Sequence, residues 1–219
     1  LLKMNNQNCL VTGALGNLGR QIVEVFAELG ANIVALDLKE SLDQNYINLI
    51  KKKYNVSFDF YPIDLRDKNE LIKLTTLIDN KYGHIKCLVN NAALLTKDFD
   101  KGWNCPFEDQ DSDLWDQVFS VNTIAPFVLS QRLKDSLEKV NGSIINISSI
   151  YGVVGPNMSI YKNTELDNPS GYALSKAALN QMTKWLAPHL APKIRVNSII
   201  LGGVERNQSD LFKKNYSEN

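Results

Sequence analysis

Short apolar runs alternate with longer amphipathic stretches along the whole chain. Asn8 to Thr12 (NCLVT) reads as a buried strand that runs into a glycine-rich turn. Leu18 to Leu29 places Leu18, Ile22, Val25, Phe26 and Leu29 on one helical stripe and stops at Gly30. The same alternation continues with a strand over Asn32 to Asp37, a helix over Ser41 to Lys53 and a strand over Ser57 to Ile63. A helix over Asp67 to Tyr82, carrying Leu71, Leu74 and Ile78 and ended by Gly83, leads to a strand over Ile85 to Val89. Leu95 to Asp109 is polar and reads as loop. Ser112 to Leu137 reads as one long helix bent near Pro126, followed by a strand over Gly142 to Ile147. Ile150 to Ser170 has no period and reads as loop; a helix from Ser170 or Gly171 to Leu190 and a strand over Lys193 to Ile200 complete the pattern. Strands that are apolar throughout, each separated from the next by a helix, predict an α/β domain whose parallel sheet is covered on both faces.

Length and composition agree with one soluble domain. The chain has 219 residues, 44% of them hydrophobic and 22% charged. Lysine plus arginine equals aspartate plus glutamate, 24 each, so the formal net charge is zero and no nucleic-acid footprint is expected. Lys51-Lys52-Lys53 is the only basic run and reads as a solvated helix end. No apolar run reaches the ~20 residues that a membrane helix needs, and the first residues lack the pattern of an export signal. Cys9, Cys87 and Cys105 are odd in number and scattered, which argues against a disulfide framework or a metal site and for a reducing cytoplasm. His84 and His189 have no metal partners in the pattern and read as structural. Trp103, Trp115 and Trp185 read as core or interface.

Two motifs carry chemistry. Thr12-Gly13-Ala14-Leu15-Gly16-Asn17-Leu18-Gly19 lies between the first strand and the first helix. There Gly13 permits a sharp reversal, Gly16 allows the backbone to approach a pyrophosphate, and Gly19 lets helix and strand pack closely. The helix N-terminus at Asn17 and Leu18 adds N–H groups and positive potential. Asp37 ends the second strand, placed to accept hydrogen bonds from both adenosine ribose hydroxyls and to repel a 2′-phosphate. That favours NAD, although Lys39 leaves room for NADP. Asp64-Leu65 after the third strand fits either a contact to the adenine edge or, for Asp64, a helix N-cap. The second motif is Tyr172-Ala-Leu-Ser-Lys176. A Tyr and a Lys four apart share one helix face. A phenol titrates near ~10, and a cation one turn away favours the phenolate, which makes the pair a usable general acid/base.

These motifs together resemble the short-chain dehydrogenase/reductase family over nearly the whole chain. Asn90-Asn91-Ala92-Ala93 stands where the family has N-N-A-G; Asn122 matches the family's helix Asn; Ser149 in Asn146-Ile147-Ser148-Ser149 matches its catalytic Ser; Tyr172 and Lys176 match Y-x-x-x-K. The resemblance implies a Rossmann-type doubly wound parallel sheet in three α/β/α layers, one domain over residues 1–219, and hydride exchange between nicotinamide and a secondary alcohol or ketone. It implies that Tyr172 transfers the proton, Ser149 stabilises the substrate oxygen, Lys176 binds the nicotinamide ribose and Asn122 holds a water. Asn90 and Ala92 would line the cofactor trough, and Gly202-Gly203-Val204 would pass near the nicotinamide. It also implies a small-molecule substrate, no nucleic-acid or membrane partner, and a homodimer or homotetramer.

Four departures from the family pattern stand out. Asn17 takes the middle glycine position, and T-G-x-x-G-x-x-G looks more like larger members that act on nucleotide sugars. A sugar-nucleotide epimerase or dehydratase is therefore an alternative, as is a cofactor-sensing protein without turnover. The Ser149–Tyr172 separation of 23 residues is longer than in simple members. The extra segment from Met158 to Pro169 is either a bland insertion or a source of substrate contacts, with Tyr161, Lys162 and Glu165 as candidates. It is similar to members found with bacterial surface-sugar and flagellin modification, and points to a sugar-derived substrate. Leu201 stands where the family usually has Pro. Asn219 falls where the family continues into a seventh strand and more substrate cover. Either those segments are not in this sequence or the protein is truncated; the first is favoured because an unpaired sheet edge is a liability.

Overall fold

Each apolar run becomes a strand of one parallel sheet, and each amphipathic stretch a helix that covers it. The computed structural model describes residues 3–94, 99, 101–164, 166–205 and 208–218. In chain order the elements are β1 (Asn8–Thr12), α1 (Asn17–Glu28), β2 (Asn32–Asp37), α2 (Gln44–Tyr54), β3 (Phe58–Pro62), α3 (Lys68–Tyr82), β4 (Cys87–Asn90), α4 (Leu114–Phe119), α5 (Ala125–Arg132), α6 (Lys134–Glu138), β5 (Ser143–Ser149), α7 (Ser170–Leu190), β6 (Arg195–Leu201) and α8 (Asp210–Glu218). The six strands lie in the order β3-β2-β1-β4-β5-β6, every neighbouring pair parallel. This is the doubly wound order. The chain reverses direction across the sheet between β1 and β4, which opens a crevice at their carboxyl ends.

Alternate residues of the strands build two cores. Leu10, Val34, Leu88, Ile144 and Val196 pack against Ile78, Leu129, Leu133 and Leu137 on one face. Cys9, Val11, Ile33, Ala35 and Val89 pack against Val23, Ala27, Ile47 and Ile50 on the other. Both faces are thus apolar, as the unbroken hydrophobic runs required. Cys9 and Cys87 are register partners on β1 and β4, buried and free, and burial pushes both thiols well above their usual range. Lys51, Lys52 and Lys53 are exposed in the last turn of α2, where positive charge complements the helix dipole.

Several boundaries differ from the sequence reading. Of the expected stripe on α1, Leu18, Ile22, Phe26 and Leu29 pack against the core, but Val25 is 55% exposed, and the fully buried positions are Gly19, Val23 and Ala27. Asp64 does not cap α3. Asp67 does, its side chain accepting from the N–H groups of Asn69 and Glu70, while Asp64 pairs with Arg66 at 2.6 Å. The long helix from Ser112 is three helices. A π-turn over Ser120–Ile124 separates α4 from α5, and the chain breaks again at Leu133. Pro126 has no N–H to return to the preceding turn, so the ladder there widens, and the N–H of Ala125 reaches back to Ser120 O. The region after β5 contains 3₁₀ turns over Ile150–Gly152 and Met158–Tyr161. The sequence reading assigned no helix at α8.

Candidate active site

At the crevice, the exits of β1 and β4 are laced together. Thr12 Oγ1 accepts from the N–H groups of Asn91 and Ala92, 3.0 Å each. Asn91 Nδ2 donates to Thr12 O and Gly13 O, also 3.0 Å each. Gly13 has φ +61°, and a Cβ there would come within 2.9 Å of Ala92 Cα. Only glycine takes that conformation and that approach at low cost. Gly19 turns its missing side chain towards Gly13 O, where a Cβ would come within 1.9 Å, so α1 rests directly on the turn. Thr12 and Asn91 were quoted in the motifs without a role; their lacing depends on side chains 79 positions apart and has no local signature.

The residues present fit a dinucleotide. α1 begins with no side-chain cap and no acid in its first turn, and Gly16 and Asn17 are exposed there, with Leu18 half-buried. Its first N–H groups and positive dipole end are left for an anion. Asp37, half-buried at the end of β2, lies against the same turn: Oδ2 accepts from Leu15 N and Oδ1 from Leu38 N, each at 2.8 Å. Each carboxylate oxygen keeps a second acceptor site. Asn90 is 2% exposed; its Nδ2 donates to Asn146 Oδ1 at 2.7 Å, and its Oδ1 has no partner among the described residues. A buried acceptor of that kind calls for a donor from elsewhere. Leu65 is buried in the core, so its side chain is turned away from the crevice, and Asp64 is engaged by Arg66. Gly202, Gly203 and Val204 leave β6 at the same edge of the sheet, with Gly203 N donating to the Tyr216 hydroxyl at 2.7 Å.

The catalytic candidates gather between β5 and α7. Ser149 is the last residue of β5 and 7% exposed; its Oγ accepts from Tyr151 N at 3.2 Å and caps the 3₁₀ turn that follows. Tyr172 is the third residue of α7, and Lys176 follows one turn later. The Lys176 Nζ lies 5.8 Å from the Tyr172 ring centroid and donates to Ile147 O of β5 at 2.8 Å. Ser148 Oγ donates back to Lys176 O. Asn122 sits in the π-turn, wholly buried; Oδ1 accepts from Leu94 N at 2.9 Å and Nδ2 donates to Ser175 Oγ at 3.0 Å. Ser175 Oγ in turn donates to Tyr172 O at 2.7 Å. Helix α7 is therefore tied to β5 through Lys176 and Ser148, and to the π-turn through Ser175.

The Met158–Pro169 segment is tied to this group. The Tyr161 hydroxyl is 2.6 Å from that of Tyr151 and accepts from Asn168 Nδ2 at 3.0 Å. Burial, then the Tyr161 contact, pushes the Tyr151 phenol above its usual range. Tyr151 is a neighbour of the site that the motif reading passed over, although it stands only two residues after Ser149. The segment also holds α8: Asn215 Nδ2 donates to Ile160 O and Lys162 O, and the Tyr161 and Phe212 rings lie 5.8 Å apart. An open cavity of about 460 Å³ lies beside it, lined by Asn104, Cys105, Tyr161, Lys162, Thr164 and Asp167 among others. Glu165 lies outside the described residues. Among the described residues no cluster of His, Cys, Asp and Glu could hold a metal, and no helix is long and apolar enough to cross a membrane.

Comparison with known proteins identifies the class. A family model described as short chain dehydrogenase matches residues 7–217, and the chain belongs to that family. It is an NAD(P)-dependent oxidoreductase. The chain is 33% identical over 224 residues to the 3-oxoacyl-[acyl-carrier-protein] reductase FabG of Thermotoga maritima, covering 99% of this chain and 82% of that protein. It is 27% identical over 219 residues to the post-translational flagellin modification protein A of Campylobacter coli, covering 97% and 83%. Among solved structures, an NAD+-bound xylitol dehydrogenase superposes with a TM-score of 0.79 at 29% identity, covering 97% of this chain and 75% of that one.

Lys176 makes a measurable prediction. Burial lowers its ammonium from the usual 10.5 to about 8. Below about pH 8 both folded and unfolded chains carry the proton, and the cost of the buried charge is present in full. Between about 8 and 10.5 the unfolded chain holds more protons, so stability rises with pH through that window. Against a Lys176→Met variant, the wild type should gain about 2 kcal/mol between about pH 7 and about pH 10 in urea unfolding. A difference between the two proteins that stays flat with pH would contradict the assignment.

Proposed function

We propose that the protein exchanges hydride between NAD and a secondary alcohol or ketone of a sugar derivative, with Tyr172 as the general acid/base. The observation that carries this reading is the buried Lys176 ammonium, held beside the Tyr172 ring and bonded to β5 two residues before Ser149. A cation there favours the phenolate and keeps Tyr172 able to give and take a proton near neutral pH. Ser149 hydrogen-bonds the substrate oxygen and stabilises its developing charge. Asn122, anchored through Leu94 and Ser175, holds the π-turn against the Tyr172 turn of α7 and positions a water behind Lys176. The turn from Gly13 to Gly19, with Asn17 and Leu18 at the helix start, receives the diphosphate; Asp37 receives the adenosine ribose; the main chain of Asp64 and Leu65 borders the adenine; Asn90, Ala92, Gly202 and Val204 line the nicotinamide end. When bound, the nicotinamide supplies the hydride acceptor or donor.

A sugar-derived substrate is favoured by the polar wall next to Ser149, where the Tyr151 and Tyr161 hydroxyls and the Asn168 amide stand together. The structural neighbour named a xylitol dehydrogenase supports a hydroxyl-rich substrate. Cofactor choice follows from charge: the Asp37 carboxylate accepts ribose hydroxyls and repels a 2′-phosphate. Exposed Ile124 and Phe127 near α5 and Leu174 and Trp185 on α7 support a homodimer or homotetramer through these helices, and a monomeric mass in light scattering would count against it.

The direct test is a screen of keto and hydroxy sugars and simple ketones, with a 3-oxoacyl thioester as the competing class, followed by nicotinamide absorbance with both cofactors. With the substrate so found, Tyr172→Phe should lower turnover by roughly 10³-fold and leave the NAD+ dissociation constant within about twofold; retained turnover removes Tyr172 from the proton-transfer role. Asp37→Ala should narrow the ratio of NADP+ to NAD+ dissociation constants by about tenfold in calorimetry. An unchanged ratio clears Asp37 of cofactor selection.

A further inference from the structure

The catalytic helix has no cap of its own. Pro169 occupies the N-cap position of α7 and supplies no side-chain hydrogen bond. The first N–H groups of a helix have no partner within it. Here the first one is met from 60 residues upstream: Gln110 Oε1 accepts from Ser170 N at 3.0 Å and from Ser170 Oγ at 2.7 Å. The other end of the same amide, Nε2, donates to Cys105 O at 3.3 Å and Asn168 O at 3.4 Å. Both ends of the Gln110 amide are therefore engaged, and its orientation is set.

Gln110 belongs to a loop whose ends close on each other, Asp111 N donating to Gly102 O at 2.7 Å. The loop is fastened to the chain entering α7 at a further point, where Asp167 N donates to Asn104 Oδ1 at 2.7 Å. Trp103, 2% exposed, forms its inner face and reaches α7 itself. A Cβ on Gly171 would come within 2.9 Å of Trp103 Cη2 and 2.8 Å of Trp115 Cδ1, so the residue before Tyr172 is pressed between two indoles. The start of α7 is thus braced on two sides, by the Gln110 amide and by the indoles, within two residues of the Tyr172 ring.

We propose that Gln110 is a positioning residue for Tyr172, acting through Ser170 at the first turn of α7. The proposal rests on the reading of Tyr172 as the proton-transfer group. The brace sets the height of α7 over β5, and with it the placement of the phenol relative to Ser149. A proton-transfer group must lie within hydrogen-bond reach of the atom it serves, and a displacement of the order of 1 Å is enough to cost ~10²-fold in rate. The brace also fixes the downstream end of the Met158–Pro169 segment, because Asn168 and Asp167 are two of its anchor points.

The test uses full-length protein carrying tyrosine labelled at Cζ, with the Tyr172 signal assigned by its loss in Tyr172→Phe. In Gln110→Ala the Tyr172 signal should move, whereas those of Tyr46, Tyr54, Tyr61 and Tyr82, on distant elements, should stay. Gln110→Glu keeps an acceptor for the Ser170 N–H but sets a carboxylate oxygen against Cys105 O and Asn168 O, and should return the signal only part of the way towards its wild-type position. NAD+ affinity should remain within about twofold in Gln110→Ala, and turnover of the substrate found in the screen should fall by about tenfold or more, in kcat rather than in the KM for NAD. An unmoved Tyr172 signal in folded Gln110→Ala overturns the proposal. So does a disturbance spread evenly over all tyrosines in both variants, which would mark Gln110 as part of the fold and no more. The resonance is read without turnover, so failure of this inference is distinct from failure of the acid/base reading of Tyr172, which Tyr172→Phe decides.

Discussion

A buried ammonium joins the catalytic helix to the sheet. Lys176 is 2% exposed, and its hydrogen bond to Ile147 O, with that of Ser148 Oγ to Lys176 O, joins α7 to β5 near Ser149. Taking a charge out of water is costly unless it is paired, and here the partner is one carbonyl. On the proposed reading, that cost is kept because the ammonium serves the phenol beside it, 5.8 Å from the ring centroid. Without Lys176 at this depth, Tyr172 would have no cation beside its ring. The buried charge lies within the candidate site, and burial lowers its ammonium, a combination that marks candidate functional sites.

Around that joint the parallel sheet does the gathering. All six strands point the same way, so the Gly13 turn, Asp37, Asn90, Ser149 and Gly202 leave the sheet at one edge although they are far apart in sequence. The lacing of Thr12 to Asn91 and Ala92 holds the two central exits at fixed separation. The π-turn at Asn122 brings an amide into α7's first turns that a regular helix would have pointed elsewhere. On the proposed reading, cofactor binding and proton transfer are served by separate elements: the first by β1, β2 and α1, the second by β5, α7 and the π-turn. Changes at Asp37 and at Tyr172 should accordingly act on different steps.

Much of this was legible in the sequence because burial on both faces leaves unmistakable apolar runs; β1 and β2 match their expected ranges residue for residue. The candidate site was legible because several motifs stand in order on successive elements, from the Gly13 turn through Asn90, Asn122 and Ser149 to Tyr172 and Lys176; no one of them suffices alone. What stayed hidden depends on partners distant in sequence. Asp64 was the expected cap, but Arg66 engages it and Asp67, three residues on, caps α3 instead. A bend in one long helix was expected near Pro126, but the proline's effect falls before it, on the carbonyls left without its N–H, and the helix breaks there. The helix α8 buries no residue fully and leans on the Met158–Pro169 segment, so nothing local announces it. Gln110 looked like any polar loop residue; its meaning lies in Ser170, 60 positions on.

The most direct measurement is a crystal structure with NAD+ bound. The account predicts the diphosphate at the Gly13–Gly19 turn, the adenosine ribose on Asp37, and the Lys176 ammonium within hydrogen-bond reach of the nicotinamide ribose, with Tyr172 and Ser149 facing the nicotinamide. A cofactor bound away from that turn, or a nicotinamide that neither Tyr172 nor Ser149 faces, would contradict it.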